Sequence, residues 1–179
     1  MQRLSREAGR ALDLARDEAR RLRHKKVRTE HLLLGILGCK RGLGADVLRA
    51  RGVTLEEARA AVGRIARPGE EERWAELIPF SARSKRAVER AGEEASSLAD
   101  DRVGTEHIVL SLLRDDAGGG AKVLSAFGVD YEQARHAVVA ARFSSSRRSR
   151  GWHRSREAKL ALGVVAVFAA GVLVGRALR

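Results

Sequence analysis

An internal repeat constrains this chain more than any other feature. Residues 5–65 align with residues 81–141 at a constant offset of 76 with no gap, and about 26 of the 61 positions are identical. The densest block runs from Val27 through Thr29, Glu30 and His31 to Leu34. It returns from Val103 through Thr105, Glu106 and His107 to Leu110. Gly42, Gly44 and Gly52 return as Gly118, Gly120 and Gly128. A gapless duplication means that one supersecondary unit is used twice. A unit this small buries little surface alone, so the two copies are expected to pack about a pseudo-twofold axis around a shared core, giving one domain over 1–142.

Each copy reads as four helices. Ala8, Ala11, Leu12, Ala15, Ala19 and Leu22 recur at three- and four-residue steps, the spacing of one helical face. Ala87, Val88, Ala91, Ala95 and Leu98 repeat that stripe. Ser5 and Ser81 stand where an N-cap is wanted. A second helix is expected to start at Thr29 or Thr105, its hydroxyl capping free amides and Glu30 or Glu106 lying in the first turn, where the helix dipole favours negative charge. That helix is apolar on most sides, so it should be central. A short third helix ends at Gly52 or Gly128, and the fourth opens with Thr54-Leu55-Glu56-Glu57, a capping box, or its variant Asp130-Tyr131-Glu132-Gln133. Between the copies, Pro68-Gly69 marks a turn, Glu70 to Leu77 is expected to add a short helix, and Pro79 ends it.

Composition agrees with an all-α class: Ala, Leu, Arg and Glu dominate, with only 2 prolines and 4% aromatics. The single cysteine, Cys39, rules out an intrachain disulfide and a cysteine-based zinc site. The start, Met1 to Glu7, lacks the apolar core of a signal peptide. The 179 residues contain no G-x-x-x-x-G-K-[ST] phosphate loop, no G-x-S-x-G elbow and no H-E-x-x-H pair. Gly118-Gly119-Gly120-Ala121-Lys122 has the wrong spacing for a phosphate loop and reads as a turn. His31 and His107 read as hydrogen-bonded structural residues. Their recurrence follows from the duplication and is no separate sign of a metal or catalytic pair. The chain is thus expected to be no enzyme and to need no cofactor or metal.

Thr-Glu-His before an apolar helix, twice and in register, with a hydroxyl residue opening each copy, resembles the Clp N domain. This is the double-repeat N-terminal domain of the Clp-type AAA+ unfoldases, and the resemblance is closest to the ClpC branch. Ile78 to Arg86 resembles the entry to the second repeat there, and the likeness covers about residues 3–142. It implies an all-α receiver of protein substrates or adaptors for a Clp unfoldase–protease and, in ClpC-like members, recognition of phosphorylated arginine. The family's binding positions fall on Ser5 and Glu30 in the first copy and on Ser81 and Glu106 in the second. A carboxylate accepts the forked donors of a guanidinium, and a helix start holds a phosphoryl group. Two departures matter. Serine replaces the family's threonine at both openings, which keeps the hydroxyl. Arg28 stands where the family has glycine, while Gly104 keeps it, so the second pocket is the less altered. The unfoldases continue into ATPase modules, so a stand-alone domain is expected here.

After Arg142 the character changes. Much of the net charge of +12 lies in residues 142–159, where Arg142, Arg147, Arg148, Arg150, Arg154, Arg156 and Lys159 face one acid, Glu157. Residues 143–158 read as a basic flexible linker. Leu160 to Gly175 then run without a charge, about 24 Å as a helix, a little short of a ~30 Å hydrocarbon core. Lys159 and Arg176 extend that reach by snorkelling, so 159–176 is expected to be a single transmembrane helix. The basic flank places the N-terminal domain on the cytoplasmic side of the cell membrane. The leading expectation is a membrane-tethered, non-enzymatic protein-binding module whose partners are substrates, adaptors or a Clp ATPase or protease. The alternative is a nucleic-acid- or anionic-lipid-binding protein acting through 142–159.

Overall fold

A computed structural model describes residues 3–69 and 77–143. Compactness divides the chain into two units, Met1–Val139 and Ala140–Arg179, and the first holds nearly all of both repeats. The elements run β1 (Arg3–Leu4), α1 (Arg6–Arg21), α2 (Thr29–Gly38), α3 (Leu43–Arg49), α4 (Leu55–Ile65), α5 (Ala82–Ser97), β2 (Arg102–Val103), α6 (Thr105–Leu113) and α7 (Gly119–Ala126). A last helix, α8, covers 131–143. The described residues therefore hold the four helices of each repeat, in register.

The expected faces are the buried ones. Ala8, Ala11, Ala15 and Ala19 of α1, and Ala87, Ala91 and Ala95 of α5, are at most 1% exposed. Small side chains let α2 lie against α1 at close range. A Cβ on Gly35 would sit 2.2 Å from the Ala11 carbonyl oxygen. In the second copy this position is Ser111, which instead donates its hydroxyl to the matching Ala87 carbonyl. Leu32 to Leu37 and Ile108 to Leu113 form the centre.

Ser5 accepts from Ala8 N–H (3.0 Å) and Ser81 from Ser84 N–H (3.1 Å), so both first helices are capped as expected. Thr54 and Glu57 close their capping box, and Asp130 accepts from Gln133 N–H at 2.8 Å. Gly52 and Gly128 adopt left-handed φ of 78° and 69° after α3 and α7.

One expectation needs correction. Thr29 and Thr105 do not cap their own helices. The N-caps are Arg28 and Gly104, and His31 and His107 reach back to accept those residues' N–H groups at 2.9 and 2.8 Å. The threonine hydroxyls face the other copy: Thr29 Oγ1 accepts from Gly120 N–H (3.2 Å) and Thr105 Oγ1 from Gly44 N–H (3.0 Å). This reciprocal pair joins the repeats with twofold logic. Within this all-α architecture Arg3–Leu4 pairs in parallel with Arg102–Val103, and Val27 bridges to Phe80.

Most of the expected helix at 70–77, the linker at 143–158 save its first residue, and the transmembrane helix at 159–176 lie outside the described residues. Among the described residues no helix is long and apolar enough to cross a membrane.

Candidate functional site

The short strands decide which predicted site residues meet. Ser81 N–H donates to Val27 O (2.9 Å), and Ser84 Oγ donates to the same carbonyl (2.8 Å). The start of α5, in the second copy, is thereby pinned beside Glu30, in the first. By the same symmetry Ser5 N–H donates to Val103 O (2.8 Å), which sets the start of α1 beside Glu106. The sequence grouped Ser5 with Glu30 and Ser81 with Glu106. The fold exchanges them, because each helix start pairs with the strand of the opposite repeat.

Glu30 and Ser81 line one cavity of about 520 Å³, with Arg23, Lys25, Lys26, Arg28 and Arg83 around it. A buried carboxylate thus sits among five cations and an α-helix N-terminus. Arg83 is engaged at its edge by Asp115 (3.2 Å) and the Ala117 carbonyl (2.7 Å). Sequence reasoning had singled out Arg28 here but missed Arg23, Lys25, Lys26 and Arg83. Lys25-Lys26, just ahead of the Thr-Glu-His block, was the readable sign.

The two glutamates are aimed differently, and residue 28 against residue 104 explains it. A Cβ on Gly104 would lie 2.4 Å from the Glu106 carboxylate, so that carboxylate folds back over its own N-cap backbone. In the first copy Arg28 fills that space. Glu30 turns instead toward the start of α7, where a Cβ on Gly119 would come within 2.4 Å of its oxygen. Arg28 Nη1 stands 3.7 Å from Glu30 Oε1. The first site therefore holds a guanidinium of its own near its carboxylate.

Behind each glutamate lies a second matched pair, His24 with His31 and Asp100 with His107. The ligand atoms of His24, Glu30 and His31 lie within 4.8 Å of one another, as do those of Asp100, Glu106 and His107. Such spacing suits a cation, but the protons argue against one. His31 Nδ1 accepts the Arg28 N–H, so Nε2 carries the proton and donates to His24 Nδ1 at 2.9 Å. His24 then donates through Nε2 to the Arg67 carbonyl at 2.8 Å. No lone pair is left facing Glu30. Burial, then the charges of His24, Arg28 and Arg21, push the His31 pKa down to about 3, so the ring is neutral. His107 repeats the arrangement, with Nε2 at 3.0 Å from Asp100 Oδ2. Its N–H lies off the carboxylate's line, so the contact is electrostatic rather than a well-formed hydrogen bond. These histidines act as structural braces for the N-caps on which the glutamates are mounted.

A duplicated, interlocked all-α domain with these paired helix starts is a domain of the Clp N type. The sequence profile of the Clp repeat (R) N-terminal domain matches residues 3–127 and 79–171, and the chain belongs to that family. A ClpA homologue, described as an ATP-binding subunit of an ATP-dependent Clp protease, from Cyanidium caldarium is 41% identical over 138 residues. The match covers 77% of this chain and 16% of that relative, so the chain spans about a sixth of its length. The N-terminal domain of the Clp-associated chaperone ClpD from Arabidopsis thaliana is 29% identical, with a TM-score of 0.64, over 78% of this chain and 94% of that domain. The N-domain of ClpV, solved in complex with a VipB peptide, shares the fold at 22% identity and a TM-score of 0.58, over 73% and 81% of the two chains.

Proposed function

We propose that this chain is a non-catalytic binding module that receives protein substrates or adaptors for a Clp unfoldase–protease, with phosphorylated arginine as one mark it reads. The observation that carries the reading is the pairing of Glu30 with the Ser81 helix start in one cation-rimmed cavity. A phosphoarginine side chain is a guanidinium joined to a dianionic phosphoryl group. Glu30, or Glu106 in the matching site, accepts the guanidinium N–H groups, and the cations and free amides at a helix start take the phosphoryl oxygens. The ClpV N-domain complex with a VipB peptide supports peptide capture as a use of this fold. The uncharged run from Leu160 to Gly175 behind a basic flank supports a tether that holds the domain at the cytoplasmic face of a membrane. Unfolding work would then come from a partner ATPase.

The test is a titration of the full chain with a phosphoarginine peptide and its unphosphorylated twin, alongside the Glu30→Ala/Glu106→Ala double variant. Selective binding by the wild type that disappears in the double variant is expected. Equal affinity for both peptides removes phosphoarginine from the reading and leaves unmodified substrates or adaptors as the ligands.

A further inference from the structure

The duplication provides an internal template: wherever one copy fills a space that the other leaves open, the filled copy shows what the open one can take. At the carboxyl end of α2, Arg49 supplies the filling. Its guanidinium donates to the Leu37 carbonyl (3.1 Å) and the Cys39 carbonyl (2.6 Å), and Nη1 pairs with Asp46 at 3.0 Å. One planar cation thereby satisfies orphan carbonyls at a helix end and the negative end of its dipole.

The position matching Arg49 is Ser125, in α7, whose hydroxymethyl group is too short to reach the end of α6. The second copy holds a cavity of about 430 Å³ there. Its walls include Leu113, Lys122 and Ser125, the counterparts of Leu37, Asp46 and Arg49. Among the described residues no turn or cap hydrogen bond ends on the Leu113 carbonyl. Asp116 and Asp130 also line the cavity, and both are exposed at its mouth. With Lys122 they leave one net negative charge around the opening. Tyr131 closes one side, one face of its ring being covered by the Arg114 guanidinium at 4.9 Å.

We propose that this cavity receives an unmodified arginine side chain presented by a bound protein, in the place that the first copy fills with Arg49. The guanidinium would lie across the end of α6, its fork toward the Leu113 carbonyl and its charge against Asp116 and Asp130. The phosphoarginine reading uses Glu30 and Glu106 and is independent of this site. A dianionic phosphoryl group would meet two aspartates here and be repelled.

The test uses the full chain with N-acetyl-arginine amide, and with its lysine and citrulline counterparts as probes, by ligand-observed NMR and calorimetric titration. The arginine probe is expected to bind saturably and the neutral citrulline probe at least about tenfold more weakly, since it lacks the charge. Ser125→Arg, which gives the second copy the first copy's filler, should abolish binding. Lys122→Asp, which restores the first copy's aspartate at an exposed position, should tighten it several-fold. That gain cannot arise from misfolding. Glu30→Ala/Glu106→Ala should leave it unchanged, which separates this site from the phosphoarginine one. No saturable binding, equal binding of citrulline, indifference to both Ser125→Arg and Lys122→Asp, or loss in the glutamate double variant would each overturn the proposal.

Discussion

His31 shows how a residue that invites a catalytic reading serves the fold. It is fully buried, accepts the N-cap amide of α2 and passes its proton toward His24. The folded state keeps it neutral down to a pKa of about 3, whereas an unfolded chain protonates it near 6.5. Between those values the unfolded state binds the extra proton, so stability falls as pH falls, by about 1.4 kcal/mol per pH unit for this one group. Denaturant titrations at pH 7, 6, 5 and 4 should show that slope, and His31→Gln should flatten it; an unchanged slope in the variant would exclude this histidine as its source. Glu18 adds to acid sensitivity. Burial raises its carboxyl, but hydrogen bonds and charge from Arg59 and Arg21 outweigh this and hold it below the ordinary value of 4.5. Its contribution is present above the unfolded value and is lost as pH falls through the lower folded one. Arg28 argues for unequal sites at the same scale. Its guanidinium, 3.7 Å from Glu30, competes with any incoming one. Glu106→Ala should therefore weaken phosphoarginine-peptide binding more than Glu30→Ala does. Arg28→Gly should narrow the difference, and equal losses in the two glutamate variants would count against competition by Arg28.

At the scale of elements, the repeats are held together where helix starts touch. A Cβ on Gly44 would fall 2.6 Å from the Thr105 carbonyl oxygen, and one on Gly120 would fall 2.8 Å from that of Thr29. Backbone occupies that space, and it cannot rotate away as a side chain can. Gly44→Ala and Gly120→Ala should each cost about 1–3 kcal/mol in urea denaturation. Gly9 in α1 and Gly63 in α4 have nothing within 4 Å of a built Cβ. Alanine at either should raise stability by about 0.5–1 kcal/mol. A cost at Gly9 equal to that at Gly44 would contradict the close-approach argument. The helices themselves were legible because their signals are local: alanine stripes, serine caps and the Thr54–Glu57 box lie within one turn of the residues they organise. The roles of Thr29 and Thr105 were not legible, because their partners Gly120 and Gly44 lie 91 and 61 residues away. For the same reason the grouping of Ser5, Glu30, Ser81 and Glu106 was not legible. Which serine meets which glutamate is set by the strand pair Arg3–Leu4 with Arg102–Val103 for Ser5 and by the Val27–Phe80 bridge for Ser81, both too short to leave a periodic pattern.

Across the whole molecule, the copies have diverged in where an arginine turns back onto the domain, and in both directions: Arg114 lies over Tyr131 and pairs with Glu94 where the first copy has Gly38. Arg16, Arg28 and Arg49 of the first copy turn back onto the domain, over the Phe80 ring at 4.8 Å, toward Glu30 and onto the end of α2. The second copy has Gly92, Gly104 and Ser125 at those positions. Residues 142–159 hold seven basic residues against one acid, so the long-range field of the chain depends heavily on them. This separates the tether from its alternative by salt. A helix inserted through hydrocarbon is held by apolar burial, which salt does not screen, whereas a basic surface on anionic lipid or nucleic acid loses its hold as counterions compete. The full chain, reconstituted with vesicles containing anionic lipid, should float with them in a density gradient at low salt, in 1 M salt and after alkaline washing. Uncharged vesicles should carry it equally well once it is inserted. Release at 1 M salt, or flotation only with anionic vesicles, would instead assign the basic stretch a surface-binding role and remove the membrane-spanning reading of Leu160 to Gly175.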